Sequence, residues 1–512
     1  MATGRGWVLR CYSRGRARAA PPGAAEAAPP SLAPGSRSRS RSFAARPVEF
    51  SGTENADVKS QYWTTFVKQK PNVCIESMPS EMLLKIFSYL DAVSLLYAGC
   101  ANKRFYDLAN DNGIWLKIYS SHFLPKRTIW KMNSETEAVS LDCAAVQDTK
   151  PGYWKKEYIF RQIAAVKTRV MQLVKPVDPH TGLPCKNREA IRASGLSWVI
   201  VLKDRNGKEY VMEQADLSFK DTSVTILWYS TSWPCLNVLS TLELCGVTPL
   251  LPDQSRAASK NGPRRRSLMA KYSLSNLTKT SVAVGADKLV QLFGLNPGLL
   301  LGLWKGKNEI AFVMASLHYH QLLERSTLGS ATVQYVLSPN KPTLDDVDPE
   351  YGLHDYNLHL DMHSGSHTCM CGTFKNLFCR KGDIQNGYLR LMVVSVTDNA
   401  KHLPIIGTVG LYWKTDVFKG NVKDCYLMDV TVLDETRKPF WCFSAPVYMQ
   451  LSCKTSGLYD YMGHIYTTEY ADSEGKVSVD LVWLEETKEY YVVNLVLYIS
   501  TKKVNSWYGT NY

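Results

Sequence analysis

The stretch that decides how the N-terminal part of the chain folds is residues 78–91, which read MPSEMLLKIFSYLD. Four apolar residues recur at the i, i+3, i+4, i+7 spacing of one helix face: Leu83, Ile86, Phe87 and Leu90. Pro79 suits the first position of such a helix, and Glu81 complements the positive end of its dipole. Three further residues are apolar beyond that face: Met82, Leu84 and Tyr89. A single core-facing side does not account for this helix, so a second apolar surface is expected.

Two more short helices are predicted downstream. Asp91 is a plausible N-cap for a helix containing Leu95 and Leu96, and Asn110 or Asp111 precedes a helix containing Ile114 and Trp115. Three short helices then form a module over residues 77–123. So small a unit rarely stabilises itself without a partner, and its excess apolar surface is what a partner would cover.

The module resembles the F-box family. The resemblance rests on residues 78–91 and on three later groups: Leu95-Leu96, Asn102-Lys103-Arg104-Phe105 and Ile114-Trp115. The chain departs from the family at three places. Met78 stands where Leu often precedes the Pro, Phe105 replaces a common Trp, and Cys100-Ala101 replaces a Val-Cys pair. These substitutions keep the apolar character. The resemblance implies an adaptor role, because F-box proteins bind the small S-phase-kinase-associated adaptor, which links them to a cullin scaffold and a RING subunit.

This implied role is that of the substrate-recognition component of an SCF-type ubiquitin-protein ligase, which promotes ubiquitination and degradation of a bound protein. Catalysis then occurs elsewhere in the assembly, and the chain is a non-catalytic subunit. The residues expected to bind the adaptor are Pro79, Leu83, Leu84, Ile86, Phe87, Leu90, Leu95, Leu96 and Trp115. The alternative for these positions is an ordinary helical-bundle core. A further alternative is an F-box scaffold that binds the adaptor without directing ubiquitin to any protein.

The rest of the chain predicts an α+β protein in which the helices come first. Residues 124–180 are expected to be a helical linker whose main amphipathic helix covers 153–174. Residues 181–512 alternate short β-branched and aromatic runs with Asn, Gly and Asp, which is typical of a large, mostly antiparallel sandwich or barrel. The clearest hairpin joins Trp198–Lys203 to Glu209–Met212, with Asn206-Gly207 supplying a type I′ turn. This β-rich region is expected to recruit a protein substrate through exposed aromatic residues in its loops.

Charge suggests a rival function. The net charge of +13 comes mostly from residues 1–50, a tail rich in Arg, Ser and Pro that is expected to be disordered. A transit peptide is the alternative for this tail, although its prolines interrupt an amphipathic helix. A polar insert at 252–267 contains Arg264-Arg265-Arg266, and a nucleic-acid-binding protein would use both basic segments. A solvated loop is the simpler interpretation of the insert, and nucleic acid is the less favoured partner.

Cysteine and hydropathy patterns bear on location. The thirteen cysteines are irregularly spaced and odd in number, no apolar signal core follows Met1, and no apolar run approaches 20 residues. We therefore expect a cytoplasmic, and alternatively nuclear, protein that does not bind a membrane.

The chain also contains residue types that can bind a metal ion. Six potential ligands lie within 18 residues: His354, His359, His363, His367, Cys369 and Cys371. Their spacing departs from the usual C-x2–4-C zinc pattern, so strand and loop residues are the simpler interpretation. His318 and His320 are expected on one face of a strand without a third ligand. No P-loop, Rossmann or nucleophile-elbow motif occurs, so we expect no cofactor, no metal and no intrinsic enzyme activity.

Overall fold

The computed structural model describes the following residues: 75–124, 150–230, 232–249, 264–275, 277, 283–307, 309–337, 340–341, 348–452 and 463–512. The basic tail 1–50, residues 252–263 of the insert and residues 125–149 of the linker lie outside them. Residues 73–512 form one compact unit. No helix among the described residues is long and apolar enough to span a membrane.

The N-terminal module has one helix more than expected. It comprises α1 (Ser80–Phe87), α2 (Ala92–Ala101), α3 (Lys103–Leu108) and α4 (Asn112–Phe123), preceded by a 3-10 turn at Ile75–Ser77. The prediction of three helices is wrong because Asn102 starts a separate helix: its side chain accepts a hydrogen bond from the Phe105 amide at 2.8 Å. Pro79 is the N-cap residue rather than the first helical residue. The predicted linker helix is confirmed as α5 (Tyr153–Val174).

The β-rich region contains four open antiparallel sheets and one separate hairpin, and among the described residues no sheet closes into a barrel. Sheet one has the order β2-β1-β5-β6: Glu209–Glu213, Ser197–Asp204, Leu239–Pro249 and Arg264–Ser273. Sheet two has the order β3-β4-β10-β9-β8-β7: Asp216–Phe219, Ser223–Trp228, Ile310–His318, Leu299–Trp304, Val290–Leu295 and Ala283–Ala286.

The second half of the region repeats this arrangement. Sheet three has the order β12-β11-β17-β18: Thr368–Leu377, Tyr356–His363, Cys425–Leu433 and Pro439–Tyr448. Sheet four has the order β13-β22-β21-β20-β19: Tyr388–Val394, Glu489–Ser500, Gly475–Leu484, His464–Ala471 and Gln450–Leu451; β14 (Leu403–Ile405) also pairs with β22. The hairpin consists of β15 (Gly410–Lys414) and β16 (Lys419–Lys423). The described part of this region also contains three short α-helices: α6 (Asn187–Ser194), α7 (Leu322–Thr327) and α8 (Thr501–Tyr508).

The four sheets are stacked in order. Sheets one and two share one hydrophobic core, and sheets three and four share another. A third cluster joins sheet two to the β15–β16 hairpin and to β17. Every residue of β17 is buried, since sheet three is covered on both faces. Polar side chains also meet between sheets two and three: Thr222 donates to Asp429 at 2.8 Å, and His318 contacts Thr431 at 2.8 Å.

Two local predictions need correction. The β1–β2 hairpin forms with the expected strands, but of Asn206 and Gly207 only Gly207 has a positive φ, at 82°. The Asp204 carboxylate accepts the Asn206 and Lys208 amides, which favours a longer turn than type I′. Residues 264–267 are not part of a loop insert, because they form the start of β6, paired with β5.

Candidate functional site

The helical module has a core that its own residues fill. Leu83 and Phe87 point inward from α1, and the Phe87 ring meets the Phe105 ring edge-on at 5.4 Å. Trp115 is fully buried, and its indole N–H donates to the Ala109 carbonyl at 2.7 Å. These contacts remove Leu83, Phe87, Phe105 and Trp115 from water without a partner.

Side-chain caps hold the module in shape. Asp91 accepts the Ser94 amide at 3.1 Å, and hydrogen bonds from the Ser94 side chain and then from its amide lower the pKa of Asp91. Asp111, rather than Asn110, caps α4 by accepting the Ile114 amide at 2.9 Å. Arg104 on α3 donates to the Met78 carbonyl at 2.6 Å, which ties the turn before α1 to the rest of the module.

Helix α5 completes this core from outside the module. Tyr158 is only 4% exposed, and its ring lies 5.6 Å from the Trp115 ring and 5.6 Å from the Phe123 ring. Trp154 meets Tyr119 at 5.2 Å. A partner was expected to complete the core of the module. In the structure, α5 of the same chain covers part of that core.

A line of exposed apolar residues remains on the outer face of α1. We call it the α1 stripe, and it consists of Ile75, Pro79, Met82, Ile86 and Tyr89. Met82 and Ile86 are four residues apart on one side of α1, whereas Ile75 and Pro79 precede the helix and Tyr89 follows it. Met82, Ile86 and Tyr89 are 53%, 39% and 75% exposed. An apolar line of this kind on the surface of a small module is typical of a protein-docking site.

The nine residues predicted to bind the adaptor divide into three groups. Five are buried in the module: Leu83, Phe87, Leu95, Leu96 and Trp115. Leu84 and Leu90 are half-buried, and Pro79 and Ile86 are exposed. The buried five pack inside the module in this structure, and the role of all nine in adaptor binding stays a prediction. Ile75, Met82 and Tyr89 are exposed and lie outside that set, and the apolar excess of α1 was the sequence signal for the last two.

The β-rich region offers one cleft lined by aromatic side chains. It has a volume of about 410 Å³ and lies beside the β15–β16 hairpin tip. The Phe418 ring at the tip meets the Trp304 ring at 5.4 Å, and Trp233 also lines the cleft. Val417 is 77% exposed beside them. Recognition through loop aromatics stays a prediction, and this cleft is where the structure gathers such residues.

The candidate metal ligands do not assemble. Among the described residues no three His, Cys, Asp or Glu side chains are grouped to hold a metal ion. His354 contacts Asp348 at 2.5 Å, whereas His363 is buried 3.2 Å from Asp429. Burial alone would make the pKa of Asp429 higher, but the adjoining His363 outweighs it and lowers that pKa.

The predicted pairing of His318 and His320 is wrong, because β10 ends at His318 and His320 follows the strand. His318 instead accepts the His320 amide through Nδ1 at 3.1 Å. Burial lowers the pKa of His318 to about 3. The neutral ring therefore serves as a packed core residue.

The arginine cluster is engaged within the chain. Arg264 pairs with Glu213 at 2.9 Å, and Arg266 lies 3.5 Å from Glu209. Arg265 donates to the Gly329 carbonyl at 2.9 Å. With these contacts made, the nucleic-acid hypothesis depends mainly on residues 1–50, outside the described residues.

Comparison with known proteins adds a family to this geometry. Residues 75–121 match a protein-family model described as F-box-like. Over all of its length the chain is 51% identical to human F-box only protein 15, which it also covers completely. It is 57% identical to F-box only protein 15 of Macaca fascicularis over 85% of this chain and 100% of that protein. The corresponding identity to the Mus musculus protein is 44%, over 84% of this chain and 100% of that protein. The likeness thus extends well beyond the helical module.

Proposed function

The chain belongs to the F-box proteins, within the family of F-box only protein 15, and we propose that it is the substrate-recognition subunit of an SCF-type ubiquitin ligase. F-box proteins generally act as substrate receptors of such ligases, are generally non-catalytic and generally bind the S-phase-kinase-associated adaptor through the F-box. In the proposed role the α1 stripe binds that adaptor, through which cullin and RING subunits are recruited.

The α1 stripe is the observation that carries this proposal. Full burial of a large apolar side chain contributes roughly 1.5–3 kcal/mol, so Met82, Ile86 and Tyr89 together supply at most about 9 kcal/mol. Association costs about 4–15 kcal/mol, so Ile75, Pro79 and further contacts must add to them. Leu83 and Phe87 are already out of water and contribute nothing more through burial. The adaptor interface is therefore centred on the exposed side of α1 and extends beyond it.

Substitution of the stripe tests the adaptor role. Met82→Asp combined with Ile86→Asp places charges on the docking surface while the module's own core stays filled. We expect capture of the purified adaptor by the full chain to fall at least about tenfold, because burying two unpaired carboxylates is costly. Phe160→Asp with Met171→Asp is the matched control, since both residues are exposed on α5. Undiminished capture by the stripe variant would refute the proposal, provided both variants retain the wild-type melting temperature.

For the substrate, we propose that the β-rich region binds a protein through the aromatic cleft at the β15–β16 hairpin tip. Its support is the gathering of exposed Val417 and Phe418 with Trp304 beside an open cleft. Large aromatic side chains are enriched where binding energy concentrates in protein interfaces. We place this activity in the cytoplasm, with the nucleus as the alternative, and microscopy of the tagged full chain tests that location.

A further inference from the structure

A cysteine and a histidine lie side by side on the edge of sheet three. Cys371 on β12 is exposed, and its sulfur lies 3.8 Å from Nε2 of His359 on the neighbouring strand β11. The other ring nitrogen of His359, Nδ1, lies 2.9 Å from the Thr373 hydroxyl. A thiol, an imidazole base and a third group that orients the base form the arrangement by which proteins activate a nucleophile.

The hydrogen-bond geometry favours the charged form of this pair. When the thiol proton moves to His359, both ring nitrogens carry a proton. Nε2–H then faces the thiolate, and Nδ1–H faces the Thr373 oxygen, which can accept it. Both donors of the imidazolium are thus satisfied without a change in ring orientation. Transfer of the thiol proton therefore leaves neither ring nitrogen without an acceptor.

A buried carboxyl group with an unused oxygen adjoins the pair. Asp361 is directly opposite Cys371 in the β11–β12 register, so the two side chains share one face of the sheet. Asp361 is 4% exposed, and its Oδ1 has no hydrogen-bond partner among the described residues. Burial raises the pKa of Asp361 to about 7, so at neutral pH its carboxyl group is protonated in about half of the molecules.

Several other charged groups act on the pair. Burial lowers the pKa of His359; Asp178, Asp221 and Asp429 oppose that change, and His180 adds to it. Burial therefore opposes protonation of the ring, whereas the acceptor that faces each ring nitrogen supports it.

We propose that Cys371 and His359 form a reactive-thiol site that hydroperoxides oxidise to a sulfenic acid. The thiolate sulfur attacks the terminal oxygen of the hydroperoxide, an S–O bond forms and the O–O bond breaks. His359 holds the thiol proton and transfers it to the departing alkoxide, which leaves as an alcohol. A thiol and a hydroperoxide thus give a sulfenic acid and an alcohol, with the peroxide reduced and the sulfur oxidised. Reaction with a small thiol would restore the site through a mixed disulfide.

Two exposed cysteines of the same chain provide internal standards. Cys185 and Cys235 are exposed, and neither has an imidazole in hydrogen-bond contact within the described residues. The reduced full-length protein is treated with limiting hydrogen peroxide at pH 7, the sulfenic acid is trapped with dimedone, and each cysteine peptide is quantified by mass spectrometry. We expect Cys371 to be trapped about tenfold faster than either standard, because a neighbouring base raises the thiolate fraction.

Variants separate a role in chemistry from a role in structure. His359→Gln should reduce the rate at Cys371 to that of the standards and move its pH profile upward, whereas His464→Gln on sheet four should change nothing. Thr373→Val should have an intermediate effect, since it removes only the orienting hydroxyl. Unchanged rates at Cys185 and Cys235, with buried Cys245 and Cys425 still untrapped, show that each variant is folded. Equal rates at Cys371 and the standards in the wild-type chain, or a rate at Cys371 that His359→Gln leaves unchanged, would overturn the proposal.

Discussion

Asp361 lies in a setting that penalises its charge. Its side chain is buried between sheets two and three, and Asp429 is opposite it in the β11–β17 register. Burial, together with the negative charges of Asp429 and Asp221, outweighs the nearby His363 and raises the pKa of Asp361 to about 7. In an unfolded chain an aspartate has a pKa of about 3.9. The folded state therefore favours the protonated carboxyl group.

This shift predicts a pH-dependent effect of Asp361→Asn. A raised pKa contributes stability that is fully present below about pH 4 and is lost as the pH rises to about 7, where the buried carboxyl group ionises. Asparagine does not ionise, so the variant has no such loss of stability. The shift of about three units corresponds to about 4 kcal/mol at most. We expect the urea midpoint of the variant to exceed that of the wild type at pH 8, with the difference shrinking towards pH 4. Asp416→Asn, at an exposed position, should show no such trend, and a difference that is equal at both pH values would contradict the argument.

Polar residues of β11 show why the sequence could not reveal this site. His359, Asp361 and His363 alternate with Leu358, Leu360 and Met362, a pattern that indicates one buried and one solvated face. In the structure sheet two covers much of the polar face, so Asp361 and His363 are buried as well. Alternation within β11 indicates the polarity of its two faces but not whether a second sheet covers the polar one, because that sheet is built from strands elsewhere in the chain. The strands were predictable, whereas the pairing of His359 with Cys371 required the register.

At the scale of elements, α5 belongs to the F-box core as much as to the linker. Tyr158 contacts Trp115 and Phe123, and only this residue of α5 is fully buried. Its removal would leave a cavity against the rings of Trp115, His122 and Phe123. The helix thus couples the stability of the F-box to the segment that leads into the β-rich region.

We predict that Tyr158→Ala destabilises the F-box by about 3–5 kcal/mol, the range for large aromatic residues removed from a core. Adaptor capture should weaken, although Tyr158 does not lie on the α1 stripe. Phe160→Ala two residues later is the control, because Phe160 is 56% exposed and should cost less than about 0.5 kcal/mol. Thermal unfolding followed by circular dichroism measures both. Equal effects of the two substitutions would show that α5 does not stabilise the module.

Helix α1 shows how far the docking site was predictable. Its pattern identified a helix with apolar residues on two sides, and the structure confirms the helix. The sequence alone could not decide which side faces inward, since Leu83 and Ile86 are both aliphatic and lie on the same predicted face. Contacts from α3 decide it, because Phe105 packs against Phe87 and leaves Met82 and Tyr89 outside. Because the sequence-based prediction did not include α3, it could not separate the buried residues of α1 from the exposed ones.

The hairpin tip provides a second prediction at this scale. If the aromatic cleft recruits substrate, Val417→Asp with Phe418→Asp should prevent recruitment without affecting adaptor capture. In cells that express the cleft variant, undegraded substrates should become more abundant. The same proteins should become more abundant with the Met82→Asp and Ile86→Asp variant. Ile406→Asp, which is 72% exposed outside the cleft, is the control and should raise none of them. Two sets of proteins that do not overlap would exclude the tip as the recruitment site.

At the scale of the whole molecule, the middle of the sheet stack joins its two halves. Trp413 on the β15–β16 hairpin stacks on Phe312 of sheet two, with ring centroids 5.4 Å apart and an interplanar angle of 10°. Its indole N–H donates to Asp287 at 2.6 Å. Leu411 and Val422 of the same hairpin are fully buried in this cluster. An apolar interface of this kind indicates halves that do not move as independent domains.

Trp413→Ala should therefore weaken both halves together. Loss of the stacked ring and of its hydrogen bond is expected to cost about 3–5 kcal/mol, and the cost should appear equally at both ends of the stack. Hydrogen exchange of β1 in sheet one and β21 in sheet four measures this, because neither strand touches the hairpin core directly. Phe378→Ala, at a residue 59% exposed, should leave both strands unchanged. If only one strand lost protection, the two halves of the β-rich region would unfold separately. Equal loss would mean that the four sheets unfold as a single cooperative unit.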